Sequence, residues 1–430
     1  MFARTFASSA GLRVVGMGLS FLVGVQLARE LGPHGYGTYG IAMSVIALLM
    51  VPTEFGLPQL VTREVAAATV NGDEGLLRRI ISWTNRMIAW NALGVAIMAA
   101  LVLMLAGVRI DTDLKSTLFW GVALLPIVAV GNVLSAALRG VHRIIAGQLA
   151  DLLVRPGAMA VLLLFATVLW GRKELSPNHA MASNVLAASL GATFAFWKLS
   201  PFLRRSAAAT NPGALSEGWL KKALPMAMSE GMRILAGHVA ILILGVMASA
   251  SEVGVYRVAA GLWTVATLPS TLLYVVCAPM LATLHQEGKS LAIQRLNAWM
   301  ALFLTVAATA FIFPFAVSGE AIIGVVFGEA YRGSNPILLI LLFGELVSAM
   351  LGHPPTVLNM MGHDREVAKY SIYALLGNIC FCLILTPLYG AIGVAIGVAT
   401  GQVLWRLLGS LHAKKHLGLN TSIVAWLHRQ

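Results

Sequence analysis

Tyr36-Gly37-Thr38-Tyr39-Gly40-Ile41-Ala42 reads against Val253-Gly254-Val255-Tyr256-Arg257-Val258-Ala259, so the chain repeats itself about half its length further on. The same offset carries Pro52 onto Pro269 and Arg78 onto Arg295. A slightly larger one carries Gly140, Arg143 and Ala146 onto Gly362, Arg365 and Ala368. In an apolar chain, two similar halves in the same order imply two membrane bundles related by an axis along the membrane normal. The substrate path of such a duplicated architecture is expected at the interface between bundles.

Composition sets the class around that repeat. Of 430 residues, 58% are hydrophobic and only 11% charged, with a mean hydropathy of +0.81. That balance excludes a soluble protein. Apolar runs long enough to cross a bilayer at ~1.5 Å per residue recur throughout. About twelve spans are expected, near 6–28, 38–60, 81–106, 116–138, 148–170, 180–199, 223–247, 255–283, 297–317, 335–358, 370–387 and 389–409. Backbone polar groups cannot go unpaired in lipid, so the spans should be helices; they are too long and too uniformly apolar for barrel strands. The expected fold is an all-α integral membrane protein, two pseudo-symmetric six-helix bundles around a central cavity.

Charge gives the orientation. Lysine and arginine gather at the N-terminus and after even-numbered spans, at Arg63, Arg78, Arg79, Arg139, Arg143, Arg204, Arg205, Lys221, Lys222, Lys289, Arg295, Arg365, Lys369, Lys414 and Lys415. The opposite loops hold Arg29, Arg109, Lys115, Arg172, Lys173, Arg257 and Arg332, most of them beside an acid. The positive-inside rule then puts both termini in the cytoplasm, as an even span count requires. The net charge of +12 is accounted for by topology and attraction to anionic lipid, and needs no nucleic-acid partner.

The longest inside loop divides the chain. Pro201, Arg204, Arg205, Asn211-Pro212-Gly213, Lys221 and Lys222 give residues 201–222 a linker composition. An N-terminal lobe is expected over 1–200, a C-terminal lobe over 223–410 and a cytoplasmic tail over 411–430. The first apolar stretch carries Arg13 and leads into a further helix, which favours an uncleaved span over a signal peptide. No long polar segment suggests an attached ATPase. Gly288-Lys289-Ser290 resembles the end of a phosphate-binding loop, but Thr283 stands where its first glycine belongs. Cys277, Cys380 and Cys382 lie in expected spans without metal or redox spacing, so inert thiols are expected.

The functional signal is the set of ionisable residues inside spans. Arg13 falls in the first, Glu54 in the second, Arg86 in the third, and Asp151 with Arg155 in the fifth; Glu230, Arg233 and His238 fall in the seventh, Glu345 in the tenth and Arg406 in the twelfth. Each charge at bilayer depth costs ~2.5–3.5 kcal/mol even on lenient scales, so these residues must face water or one another. Blander readings compete. Asp151 with Arg155 and Glu230 with Arg233 have the spacing of self-neutralising helical pairs. Arg86 and Arg406 lie near enough to span ends to snorkel. A cavity with this arginine excess suits an anion, and phosphate above all, because the guanidinium fork donates two hydrogen bonds and stays charged when dehydrated. Gly393, Gly397 and Gly401 form a four-spaced stripe that reads as helix packing.

Leu27-Ala28-Arg29-Glu30-Leu31-Gly32-Pro33, followed by Tyr36-Gly37-Thr38-Tyr39, resembles the hallmark between the first two helices of Wzx-type bacterial polysaccharide flippases. These belong to the multidrug/oligosaccharidyl-lipid/polysaccharide exporter superfamily. Glu54-Phe55-Gly56-Leu57 and Val61-Thr62-Arg63-Glu64 extend the likeness, and Gly140-Val141-His142-Arg143 and Gly362-His363-Asp364-Arg365 are similar to its glycine-basic turns. The resemblance implies two six-helix lobes around an often arginine-bearing cavity, and alternating access for a polyprenyl-pyrophosphate-linked oligosaccharide crossing the bacterial inner membrane. It implies a role in making surface polysaccharide such as lipopolysaccharide. The pyrophosphate would then sit on Arg13 and Arg233, with Arg86 and Arg155 as further candidates. Glu54, Asp151, Glu230 and Glu345 either couple the cycle to a proton or sodium ion or serve as counter-ions. No other cofactor, metal or catalytic residue is expected; the partners are the lipid-linked oligosaccharide, membrane lipids and glycan-assembly enzymes.

Two rival functions stand beside this reading. Cation-coupled drug exporters share the superfamily but bind cationic amphiphiles at an acidic site, against the arginine excess here. A membrane-embedded glycan polymerase or ligase needs a sizeable outer catalytic loop, and the expected outer loops are short.

Overall fold

The computed structural model describes residues 2–105, 111–170, 175–208 and 218–423. Arg109, Arg172, Lys173 and the Asn211-Pro212-Gly213 linker lie outside the described residues. Helices make up the described chain: α1 (Phe2–Glu54), α2 (Leu57–Asn71), α3 (Glu74–Leu105), α4 (Thr112–Gly140), α5 (Ile144–Leu149), α6 (Arg155–Trp170), α7 (Pro177–Ala208) and α8 (Trp219–Met247), then α9 (Ala250–Ala266), α10 (Leu268–Gln286), α11 (Ser290–Phe327), α12 (Ser334–Met350), α13 (Pro354–Met360), α14 (Asp364–Tyr389) and α15 (Ala391–Leu417). A single π-helical turn, Ala150–Val154, joins α5 to α6.

Nine of these segments among the described residues are long and apolar enough to cross a membrane, or ten if the bent α12–α13 pair is one span. The expectation of twelve is therefore not confirmed as a count, although each expected span falls on a helix. The difference is geometric. The first two expected spans are fused in α1, which kinks at Gly32 (φ 66°) just before Pro33, and α3 is not among the nine. Large apolar side chains such as Trp90, Phe119, Val168, Val246 and Phe313 are exposed. In a bilayer those faces meet acyl chains, which are as apolar as the side chains themselves.

The chain divides into two compact units, Met1–Val239 and Ala240–Gln430. The division falls inside α8 rather than at the 201–222 linker. The reason is visible in what the first half of α8 touches. A Cβ on Gly56 would lie 2.7 Å from both the Ala223 carbonyl oxygen and the Ala227 nitrogen, and one on Gly231 would lie 3.0 Å from Val51. Trp219 packs edge-on to Trp83 with ring centroids 5.2 Å apart, and His238 Nδ1 lies 3.1 Å from Ser44 Oγ.

Helix α4 forms the core of the first unit, burying Leu124, Leu125, Ala129, Val133, Ala136 and Ala137. Its Gly131 lets α7 approach at Ala192, and Gly121 admits Ile46 of α1. In the second unit the α14–α15 hairpin closes on the glycine stripe: a Cβ at Gly393, Gly397 or Gly401 would overlap Leu385, Cys382 or Asn378 respectively. Van der Waals contact between small residues is the main force between helices in lipid, so this seam is where the hairpin gets its cohesion.

The repeat-related prolines lie beside matching interruptions. Pro52 precedes a break at Phe55 and Gly56, both at positive φ (47° and 71°). Pro269 opens α10, directly after the break at Thr267. Tyr39 and Tyr256, aligned by the same offset, are both buried.

Candidate functional site

Two local breaks in regular helix shape the polar surface of the first unit. At the first, the chain leaves α1 after Glu54, turns through Phe55 and Gly56, and restarts at Leu57-Pro58, where proline suits a helix start. Glu54 is thereby held at a helix end, where its Oε1 accepts a 2.6 Å hydrogen bond from Asn132 Nδ2 on α4. Its charged neighbours are Glu230, Asp151 and Arg233.

The second break follows from Pro156. A proline inside a helix lacks the N–H for the fourth carbonyl back and crowds it, and here that carbonyl belongs to Leu152. The helix widens into the π turn Ala150–Val154, and the Leu152 carbonyl faces Gly16 of α1, where a Cβ would come within 2.8 Å of it. Such π turns frequently mark functional positions. Asp151 lies in this turn and is exposed. Arg139 and Arg155 are its charged neighbours, and Arg139 has Arg13 and Asp151 as its own. Arg13, one turn before Gly16 on α1, is exposed. An exposed guanidinium at this depth in a bilayer requires water or an anion in front of it.

On α8, Arg233 forms a bidentate pair with Glu230 through Nε (3.1 Å to Oε2) and Nη2 to Oε1. The Arg233 side chain is 72% exposed in spite of this pairing, against 25% for Glu230. The guanidinium therefore keeps donors for a second ligand.

Arg155 sits differently. Its Nη2 donates to Asn184 Oδ1 (3.1 Å), and Asn184 Nδ2 donates to the Tyr39 hydroxyl (2.9 Å). This chain ties α6, α7 and α1 together, and it reads first as a structural device. Arg86 is exposed on α3, with its Nε toward the Ser82 carbonyl one turn back (3.4 Å).

The structure thus gathers Arg13, Arg139, Arg155, Arg233, Glu54, Asp151 and Glu230 into one set of charged neighbours within the first unit. Among the described residues no hydrogen bond or ion pair joins Arg86 to that set, and Glu345 belongs to the second unit. There Glu345 is buried, accepting hydrogen bonds from Ser270 Oγ (3.3 Å) and Gln402 Nε2. Arg406, expected to snorkel, is instead 5% exposed and donates from Nη1 to the Gly352 carbonyl, bracing the bend between α12 and α13.

Sequence reading missed Arg139 and Asn132. A fourth span ending at 138 leaves Arg139 among the loop charges, yet it stands on the last turn of α4 with Asp151 of the π turn as a charged neighbour. The signal for Asn132 was an amide in the middle of an otherwise apolar span.

The geometry describes a helical membrane protein with a partly exposed group of charged side chains in its first unit. Solved structures share the fold. A multidrug resistance transporter of the MATE family, inward-facing, superposes with a TM-score of 0.75 at 13% identity, covering 98% of this chain and 100% of its own. The lipid II flippase MurJ, in an inward closed conformation, gives 0.72 at 13% identity, covering 96% of this chain and 87% of that one. Stage V sporulation protein B of Bacillus subtilis (strain 168) is 25% identical over 94% of this chain and 82% of its own length. The chain belongs to the family described as "Polysaccharide biosynthesis protein", whose model matches residues 2–285. It is a multi-pass helical membrane protein of that family, and its fold is the one these transporters have.

Proposed function

We propose that the protein is a flippase that carries a polyprenyl-pyrophosphate-linked oligosaccharide from the cytoplasmic to the outer leaflet of the bacterial inner membrane. The observation that carries this reading is Arg233, paired through one face of its fork and open on the other, in a set where four arginines stand among three carboxylates. The polysaccharide family and the fold likeness to a lipid II flippase support it.

The residues suggest how the work is done. In the empty protein Glu230, Glu54 and Asp151 are the counter-ions that make embedded arginines tolerable. An arriving pyrophosphate takes over the donors of Arg233 and Arg13, since a phosphate oxygen pair matches the fork that a carboxylate occupied. Glu230 then loses its partner beside Glu54, and a proton shared by the two acids relieves their repulsion. Substrate binding and proton uptake are coupled in this scheme without any further group. The glycan occupies the wetted lumen while the polyprenyl chain stays in lipid. Both termini are cytoplasmic, and enzymes that assemble the glycan are the expected partners.

The rival reading is a cation-coupled drug exporter, favoured by the high TM-score to a multidrug transporter. Reconstitution separates the two. Proteoliposomes containing the protein should move a polyprenyl-pyrophosphate oligosaccharide between leaflets, faster with an imposed proton gradient, and should not accumulate ethidium. Accumulation of ethidium with no leaflet transfer of the lipid-linked glycan would replace the flippase with an exporter.

A further inference from the structure

A cleft of about 640 Å³ opens at the end of α4 and is lined in part by Arg143, His142, Lys198, Ile144, Ile145 and Phe202, none of them a member of the charged set described above. Its basic side chains converge from two elements. His142 and Arg143 lie in the turn between α4 and α5, and Lys198 lies in the C-terminal half of α7. The turn is fixed by hydrogen bonds from His142 N to the Arg139 carbonyl (3.1 Å) and from Arg143 N to the Leu138 carbonyl (2.9 Å). Neither Arg143 nor Lys198 has a carboxylate partner among the described residues. Lys198 instead rests over Trp197, its Nζ 4.1 Å from the ring centroid.

The surroundings have the composition of a membrane–water boundary. Trp197 is 61% exposed and Phe196 53%, and exposed tryptophan beside lysine is the kind of pair that anchors spans at headgroup level. Ile144 and Ile145 are partly exposed and form an apolar wall beneath the cations. A free anion has no use for that wall, and a neutral lipid has none for the cations.

We infer that this cleft is a binding site for an anionic glycerophospholipid. The phosphate would lie between Arg143 and Lys198, and the first carbons of an acyl chain against Ile144, Ile145 and Phe202. The volume is in the range of ligand pockets, and basic pockets between spans at the inner surface are the usual hosts of acidic headgroups. The lining includes none of the residues proposed to bind the transported pyrophosphate, so a protein that binds lipid here and flips nothing still satisfies the proposal.

The test titrates purified protein in neutral detergent with phosphatidylglycerol or phosphatidylcholine and counts bound lipid by native mass spectrometry. The wild type should retain phosphatidylglycerol selectively. Arg143→Gln with Lys198→Gln should weaken that binding about tenfold, a loss of about 1.4 kcal/mol, with phosphatidylcholine unchanged and the melting temperature preserved. Ile145→Ser, which keeps every cation, should also weaken it, and Arg143→Lys should retain it. Equal retention of both lipids, or unchanged phosphatidylglycerol binding in the double variant, overturns the site. Full displacement by millimolar glycerol phosphate with no effect of Ile145→Ser shows an anion site without a lipid, and overturns it as well.

Discussion

At the residue scale the arginines separate by what holds them. Arg155 is locked to Asn184 and through it to Tyr39, whereas Arg13 and Arg233 are exposed. Arg155→Ala should therefore lower the melting temperature, at a cost of about 1.5–3 kcal/mol for a lost charged hydrogen bond. Arg13→Ala and Arg233→Ala should leave it within about a degree. Differential scanning fluorimetry in one detergent compares the three; a large drop for Arg233→Ala and none for Arg155→Ala would reverse the roles assigned here. Gly56 gives a second test. Its φ of 71° and the α8 backbone against it forbid a Cβ, so Gly56→Ala should destabilise by about 2–4 kcal/mol, summing the left-handed penalty and the overlap. Gly237, with open space around it, is the control: Gly237→Ala should be silent by the same measurement.

The candidate residues were largely legible in the sequence, because a charge inside an apolar run is conspicuous whatever the fold. Their grouping was not. The offset that aligns Tyr39 with Tyr256 also sets Arg13 opposite Glu230, but no alignment shows that Arg139 joins them from the end of α4. Nor could it show that Arg406 is buried under the α12–α13 bend. Both depend on where helices end and bend.

At the element scale the spans were readable and their breaks only partly so. Pro52 and Pro269, aligned by the repeat, each have an interruption of the helix beside them. The π turn at Ala150–Val154 left no mark except Pro156, since one proline is compatible with a kink, a bulge or a helix start. The count of twelve is not confirmed for a similar reason: hydropathy locates apolar length but cannot tell one kinked helix from two. The glycine stripe read as packing does pack. Gly397→Leu should open the α14–α15 seam, because Cys382 already occupies the space, at a cost of about 1–3 kcal/mol. Limited proteolysis should find faster cleavage near Gly390; cleavage at the wild-type rate would mean the seam adjusts more easily than its contacts suggest.

At the scale of the whole molecule the helical membrane fold and the polysaccharide family are what the proposed flippase requires. The division at Val239 assigns the start of α8 to the first unit, and with it Glu230 and Arg233. That assignment makes the charged set local to one unit, where helix packing can fix its geometry. It also predicts a pH dependence. If Glu54 and Glu230 share a proton when substrate displaces Arg233, Glu54→Gln should flatten the dependence of transport on an imposed proton gradient while leaving measurable leaflet transfer. A gradient response equal to that of the wild type would remove the acids from the coupling step.

The most direct measurement is leaflet transfer of a polyprenyl-pyrophosphate-linked oligosaccharide in proteoliposomes, comparing the wild type with folded Arg13→Ala and Arg233→Ala variants. The account predicts transfer by the wild type and a fall of at least about tenfold in each variant. Undiminished transfer by both variants would contradict the arginine site.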